Sequence, residues 1–223
     1  MPRPRNDKLK EQIATESWRQ FRAHGYNGTT YSTIAKKCGI SRNLVQYHFP
    51  KKELLASGFM EHVLAEAQAA LGLSDQALFN DFPSIYEVGC CFFLFLMQKG
   101  GYRQFLSDTV SSRELTQDTL AFDLEWALDR LELPEDIDLE PVRQEVIVSM
   151  GGFYELMYYC LKADKPFPVE ERLAKVVDGF AKTILKATGA EQKEPAIADT
   201  LDGETRGRLQ DAVKKMNRVF DSL

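Results

Sequence analysis

Between Tyr31 and Phe49 the chain reads Tyr-Ser-Thr-Ile-Ala-Lys-Lys-Cys-Gly-Ile-Ser-Arg-Asn-Leu-Val-Gln-Tyr-His-Phe. Ile34 and Ala35 lie on one short apolar-patterned segment, and Leu44, Val45 and Phe49 on the next. Gly39 suits the left-handed residue that follows a helix, because it has no Cβ to clash. Ser41 can cap the next helix by accepting from a free backbone N–H. A helix, a glycine-containing tight turn and a second short helix make a helix-turn-helix, whose second helix fits the DNA major groove.

The remainder is consistent with such a use. The net charge of −5 divides unevenly along the 223 residues. Up to Glu53 there are 11 Lys and Arg against 4 Asp and Glu, and everything after is strongly acidic. A basic end on an acidic body predicts that one end meets a polyanion, although a solvated basic face would give the same count. The longest apolar run, Val88 to Met97, is far short of the roughly 20 residues of a membrane span. The basic N-terminus is followed by no apolar stretch, so no secretory signal is expected. Cys38, Cys90, Cys91 and Cys160 form no C-x-x-C pair and read as reduced residues, three of them within apolar runs. The chain is therefore expected to be cytoplasmic. His24, His48 and His62 are scattered, no nucleophile–base spacing appears, and no glycine-rich phosphate loop is present. That argues against an enzyme and leaves no metal or cofactor to expect.

The apolar period is helical throughout, predicting an all-α fold. Pro2 to Asn6, with Arg3 and Arg5, reads as an arm that could reach a minor groove. A first helix is expected from about Asp7 to His24, with Leu9, Ile13, Ser17 and Phe21 on its buried stripe. Thr29 or Thr30 should cap the second helix, and Arg42 to His48 should form the third before Pro50 stops it. A fourth begins at Lys51 and runs to about Leu71. Pro83 to Met97 is apolar nearly all round, which predicts a central helix. Leu120, Leu124, Leu128 and Leu131 mark a helix in an acidic segment that ends at Leu133-Pro134. Val142 to Leu161 carries two apolar stripes, one through Val146, Met150, Phe153 and Met157, the other through Ile147, Tyr154 and Tyr158. Val169 to Lys186 carries one stripe, Ala187 to Thr200 reads as a linker, and a last amphipathic helix follows.

Several short motifs fall in a fixed order around the helix-turn-helix. They are Phe21, Gly25-Tyr26, Thr29-Thr30, Ile34-Ala35, Gly39-Ile40-Ser41, Tyr47-His48-Phe49 and Lys52-Glu53-Leu54-Leu55. In order and spacing they resemble the DNA-binding domain of TetR-family transcriptional regulators, over roughly the first quarter of the chain. One departure is that Asn43 and Val45-Gln46 stand where the family often has Gly and Leu-Tyr, which leaves the base preference open.

On the residues' own chemistry, Arg42 suits guanine and Asn43 adenine, with Gln46 a third reader. Tyr47 offers a face to thymine methyls, or else packs on the first helix; His48 suits phosphate. Helix N-termini near Thr29, Thr30 and Lys52 also suit phosphate, and Lys52 matches the family's phosphate-contacting lysine. Tyr31 and Leu44 complete the expected DNA-contacting set, while Lys36 and Lys37 are either phosphate contacts or solvated surface.

The resemblance implies residues 1–50 as the DNA-binding domain and residues 51–188 as a helical ligand-binding and dimerisation domain, followed by a linker and C-terminal helix over 189–223. It places the dimer interface on the last two core helices, through Val142, Val146, Met150, Phe153, Met157, Leu173, Val177, Phe180 and Ile184; both stripes could instead be satisfied within one chain. It places a ligand cavity among the middle helices, for which Phe79, Tyr86, Phe93, Met97, Phe122, Trp126, Tyr154 and Tyr158 are plausible liners. An aromatic stripe can equally be plain core. Asp123 or Glu125 could hold a lipophilic cation over aromatic faces, although the acidic segment they belong to reads first as solvated surface. The implied function is a homodimeric repressor released from a double-stranded DNA operator by a small hydrophobic effector. The alternative is a DNA-binding adaptor of the same fold that answers to a protein partner.

Overall fold

The computed structural model describes residues 4–73, 81–98, 100–190, 196–199 and 201–222, with the side chains of residues 4–6 left aside. Arg3 and Phe79 lie outside the described residues, and so does the side chain of Arg5. The described residues form ten α-helices and one 3₁₀ turn, and no strand. No described helix is long and apolar enough to cross a membrane.

Three helices make the N-terminal module: α1 (Pro4–His24), α2 (Tyr31–Cys38) and α3 (Arg42–His48). The first begins about one turn earlier than its apolar stripe suggested. Thr30 caps α2 by a reciprocal arrangement: its hydroxyl accepts from the Thr33 N–H at 3.2 Å, and the Thr33 hydroxyl accepts from the Thr30 N–H at 3.1 Å. Gly39 ends α2 with φ of 68°, and Ser41 caps α3 through the Leu44 N–H at 3.2 Å. Ile34, Ala35 and Val45 are buried between the helices and fix their crossing.

The fourth helix, α4 (Glu53–Ala70), runs from the module into the body. Phe59 on α4 contacts Trp18 and Phe21 of α1, Tyr102 and Phe105 of α6 (Gly101–Ser111), and Phe220 of α10 (Gly203–Asp221). Aromatic pairs at these centroid separations of 4.9 to 6.4 Å add to the area they bury. The module and the body therefore share one core.

Helix α5 (Phe82–Leu96) is the central one, as its all-round apolar sequence predicts. Asp81 caps it, accepting from the Ser84 N–H at 2.6 Å. It packs on α4, α6, α9 (Val169–Thr188) and α10. Helix α7 (Arg113–Leu128) follows α6 after Ser112 alone, so it starts and ends earlier than the leucine spacing suggested. Helix α8 (Glu140–Lys162) packs on α6, α7 and α9.

The C-terminal helix docks closely. Lys215 Nζ donates to the Ala70 carbonyl at the end of α4 at 2.9 Å, and Asn217 pairs with Gln98 at 3.0 Å. Arg22 of α1 donates to the Phe220 carbonyl at 2.9 Å and pairs with Asp221. Upstream, the Asp178 carboxylate accepts from the Ile197 and Ala198 N–H groups and pins the 3₁₀ turn Ile197–Asp199 to α9.

Candidate DNA-reading helix and body cavity

Val45 is fully buried, so the opposite face of α3 points away from the core. At 100° per residue, Arg42, Asn43, Gln46 and Tyr47 fall within one arc of that outer face. Arg42 and Asn43 are exposed, Gln46 is half-buried, and Tyr47 is 71% exposed. A tyrosine ring left so open has no packing role on α1, which removes one of the two sequence readings of Tyr47. Leu44 is half-buried on the flank. His48 is half-buried edge-on to the Tyr47 ring, and its Nε2 is enclosed with no hydrogen-bond partner among the described residues. Lys36 and Lys37, in the last turn of α2, are exposed.

Three other residues expected to contact DNA are occupied internally. Thr29 is fully buried; its hydroxyl donates to the Gly25 carbonyl at 2.8 Å and its N–H to the Tyr26 carbonyl at 3.1 Å. It has no free donor to offer a phosphate. The Tyr31 hydroxyl donates to the Phe49 carbonyl at 2.7 Å, clamping the start of α2 to the end of α3. Lys52 Nζ lies 3.8 Å over the Tyr26 ring and donates to the Tyr26 and Thr29 carbonyls at 3.0 and 3.2 Å. Burial pushes its ammonium below the usual lysine range. Thr30 remains exposed, although its hydroxyl serves the cap.

The loop after α1 is held by a residue that sequence reading passed over. Asp108 of α6 is buried, and its Oδ2 accepts from the Asn27 N–H at 2.8 Å. Gln104 supports the other carboxylate oxygen at 2.8 Å. The start of α6 meets the end of α1 so closely that a Cβ on Gly101 would run into the Arg22 carbonyl. The Gly100-Gly101 pair is the trace of this close approach in the sequence.

The body contains an apolar cavity of about 80 Å³ lined from α4, α5, α7, α8 and α9. Phe93 and Trp126 line it, together with Phe92, Met150, Leu173 and Phe180. An open groove of about 690 Å³ lies on the other side of Leu124 and Val146, between α6, α7 and α8. Tyr154 and Tyr158 line the groove, with Arg113, Arg143 and Glu155. Three expected liners take no part in either space. Tyr86 is fully buried against Cys90, while Met97 and Phe122 pack partly buried against the core.

Asp123 faces the inner cavity. Its carboxyl is pushed up to about 7 by burial, and a hydrogen bond from the Tyr154 hydroxyl pulls in the other direction.

The residues expected at the dimer interface have partners within one chain. Val142, Val146, Met150, Phe153, Met157, Leu173, Val177, Phe180 and Ile184 are all buried within the single chain. The stripe with large apolar side chains is used by the body's own core. The opposite side of α8 presents Val148, Gly152 and Tyr159, with Val148 73% and Tyr159 55% exposed. A Cβ on Gly152 would meet nothing within 4 Å.

Residues 13–57 match the family of bacterial regulatory proteins known as the tetR family. The chain thus carries the tetR-family DNA-binding module, and its three helices and turn are the ones described above. Among solved structures it is similar to SmeT, the repressor of the Stenotrophomonas maltophilia multidrug efflux pump SmeDEF, at 18% identity and a TM-score of 0.46, covering 78% of this chain and 88% of that one. It is also similar to TylP, a tetR regulator from Streptomyces fradiae, at 19% identity and a TM-score of 0.44, covering 95% and 99%. A gamma-butyrolactone receptor described as ArpA-like aligns at 17% identity and a TM-score of 0.33, covering 98% of each chain. No curated protein matches the sequence.

Proposed function

We propose that this chain is a homodimeric repressor that leaves its operator when a small hydrophobic effector enters the body. The observation that carries the reading is the outer face of α3. Arg42, Asn43, Gln46 and Tyr47 stand together on the second helix of a tetR module with no core role to explain them. Arg42 and Asn43 read base edges, Gln46 and Tyr47 extend the contact, and Lys36 and Lys37 meet phosphates. Lys52, Thr29 and Tyr31 hold these groups in place from within the module.

In this reading residues 1–50 bind DNA and residues 51–188 sense and dimerise, with the C-terminal helix bracing α1 and α4. One module reads too few base pairs for regulatory affinity, so two copies bind two half-sites. The exposed stripe of α8 through Val148, Gly152 and Tyr159 is the face on which the second copy sits. The glycine lets the two helices approach closely.

The route from effector to DNA runs along contacts already described. A ligand between α7 and α8 displaces α7, which is joined to α6 by a single residue. Helix α6 holds the loop after α1 through Asp108, and α4 enters the module beside it. A small pivot changes the spacing of two recognition helices that must match half-sites about 34 Å apart. The cavity walled by Phe93 and Trp126 favours a small molecule over a partner protein as the signal.

Fluorescence anisotropy on double-stranded DNA tests the DNA-binding surface. Affinity is expected to fall steeply with salt, and the Lys36→Ala, Lys37→Ala double variant to lower the logarithmic salt slope by about two. A slope equal to that of the unaltered protein would remove both lysines from the interface.

A further inference from the structure

Among the described residues that line the inner cavity, Asp123 is the only charged one. The Tyr154 hydroxyl donates to its Oδ2, and its Oδ1 accepts no hydrogen bond among the described residues. A carboxylate facing apolar walls is costly unless something positive joins it. Phe93 and Trp126 line the same cavity, with the Arg130 guanidinium 5.6 Å from the centroid of the Trp126 ring.

The dimensions limit what can join it. The inner cavity, at about 80 Å³, is well below the roughly 150 Å³ that holds benzene in an engineered cavity, so a slim aliphatic chain fits better than a ring. The groove of about 690 Å³ is of ligand size, and the buried Leu124 and Val146 form the wall it shares with the inner cavity.

We propose that the effector is an organic cation with a slim aliphatic tail, its ammonium held by Asp123 and its tail in the inner cavity. This rests on the reading of the body as a ligand-sensing unit and names the chemistry of its ligand.

Burial holds the free carboxyl up to about 7, so at pH 6 it is largely protonated in the absence of ligand. Tyr154 is the titratable group facing it from α8, and no charged residue lines the cavity from α4, α5 or α9. Arg113, Arg143 and Glu155 lie on the groove side. A bound ammonium favours the ionised carboxyl and expels the proton, so affinity rises with pH. An alkylammonium keeps its own charge over this range, as lysine does with a pKa of about 10.4.

Calorimetric titration of the full chain with hexylamine and with hexan-1-ol, a neutral molecule of similar length, tests the assignment. Hexylamine is expected to bind at least about tenfold more tightly than hexan-1-ol at pH 8, and more tightly at pH 8 than at pH 6. Asp123→Asn should lose that tenfold preference while still binding hexan-1-ol, which shows that its cavity persists. Tyr154→Phe keeps the carboxylate and should keep the preference. In Trp18→Phe, Trp126 is the sole tryptophan, and its emission should shift with hexylamine. Equal affinity of Asp123→Asn and the unaltered protein for hexylamine would overturn the assignment. Binding of hexan-1-ol alone would overturn the cation and leave a ligand-sensing body standing. Binding of neither would overturn both, while DNA binding, measured separately, would be untouched.

Discussion

Arg42, proposed to read a base, stands exposed on the first turn of α3, where Ser41 fixes the helix start. Arg42→Ala is expected to cost about 1–3 kcal/mol on the preferred site and to relax the preference at one base pair. Competition binding across single-base operator variants measures this, and an unchanged preference would remove Arg42 from the reading set. Asp123 makes a different prediction. Its folded carboxyl sits near 7, above the unfolded value near 3.9, so the fold favours the protonated form. The stability this contributes is complete below the unfolded value and is lost as pH rises through about 7. Asp123→Asn should therefore raise the thermal midpoint by clearly more at pH 8 than at pH 5. Melting curves at the two pH values decide this; an equal shift at both would show that the carboxyl does not titrate there. At this scale the sequence revealed type better than role. The caps at Thr30 and Ser41 were legible because a cap is a contact across three residues. Thr29, Tyr31 and Lys52 read as DNA contacts in the sequence because nothing local says that their donors are taken by the Gly25, Phe49 and Tyr26 carbonyls.

Among the helices, α6 has the least conspicuous sequence and an important position. Its first turn abuts the end of α1 at Gly101, and Asp108 holds the loop between α1 and α2. Asp108→Ala leaves the Asn27 N–H without its partner and should cost about 1–3 kcal/mol of stability. A larger effect is expected on release: effector should dissociate the variant from DNA less efficiently, because α6 no longer carries the loop with it. Denaturant melts and effector titrations of the DNA complex separate the two effects, and unaltered release would rule out α6 as the transmitter. Helix existence and order were readable because the 3.6-residue period persists along the chain, and α5 was readable as central because it has no polar face. The docking of α10 was not readable. Its amphipathic pattern requires a partner but does not name α4, α5 and the end of α1.

At the scale of the whole molecule, the proposed dimer puts the second copy on the face of α8 that the body leaves open. Val148→Arg is expected to give a single-chain mass by light scattering with an unchanged far-ultraviolet spectrum, and to abolish binding to paired half-sites. A persistent dimer would move the interface elsewhere. Large apolar residues such as Val142, Met150 and Phe153 signal burial without saying whether it is within or between chains. Val148, Gly152 and Tyr159, with a glycine among them, gave too weak a stripe to compete. The cavity suffered similarly: aromatic residues at helical spacing cannot tell Phe93, which lines it, from Tyr86, which is sealed in core. The most direct measurement of the central claim is sequencing of the genomic DNA that the protein retains. The expected result is an inverted repeat whose half-site centres lie about 34 Å apart or a multiple of it. A collection with no shared sequence, or a single half-site without a symmetric mate, would contradict a dimeric operator-binding repressor.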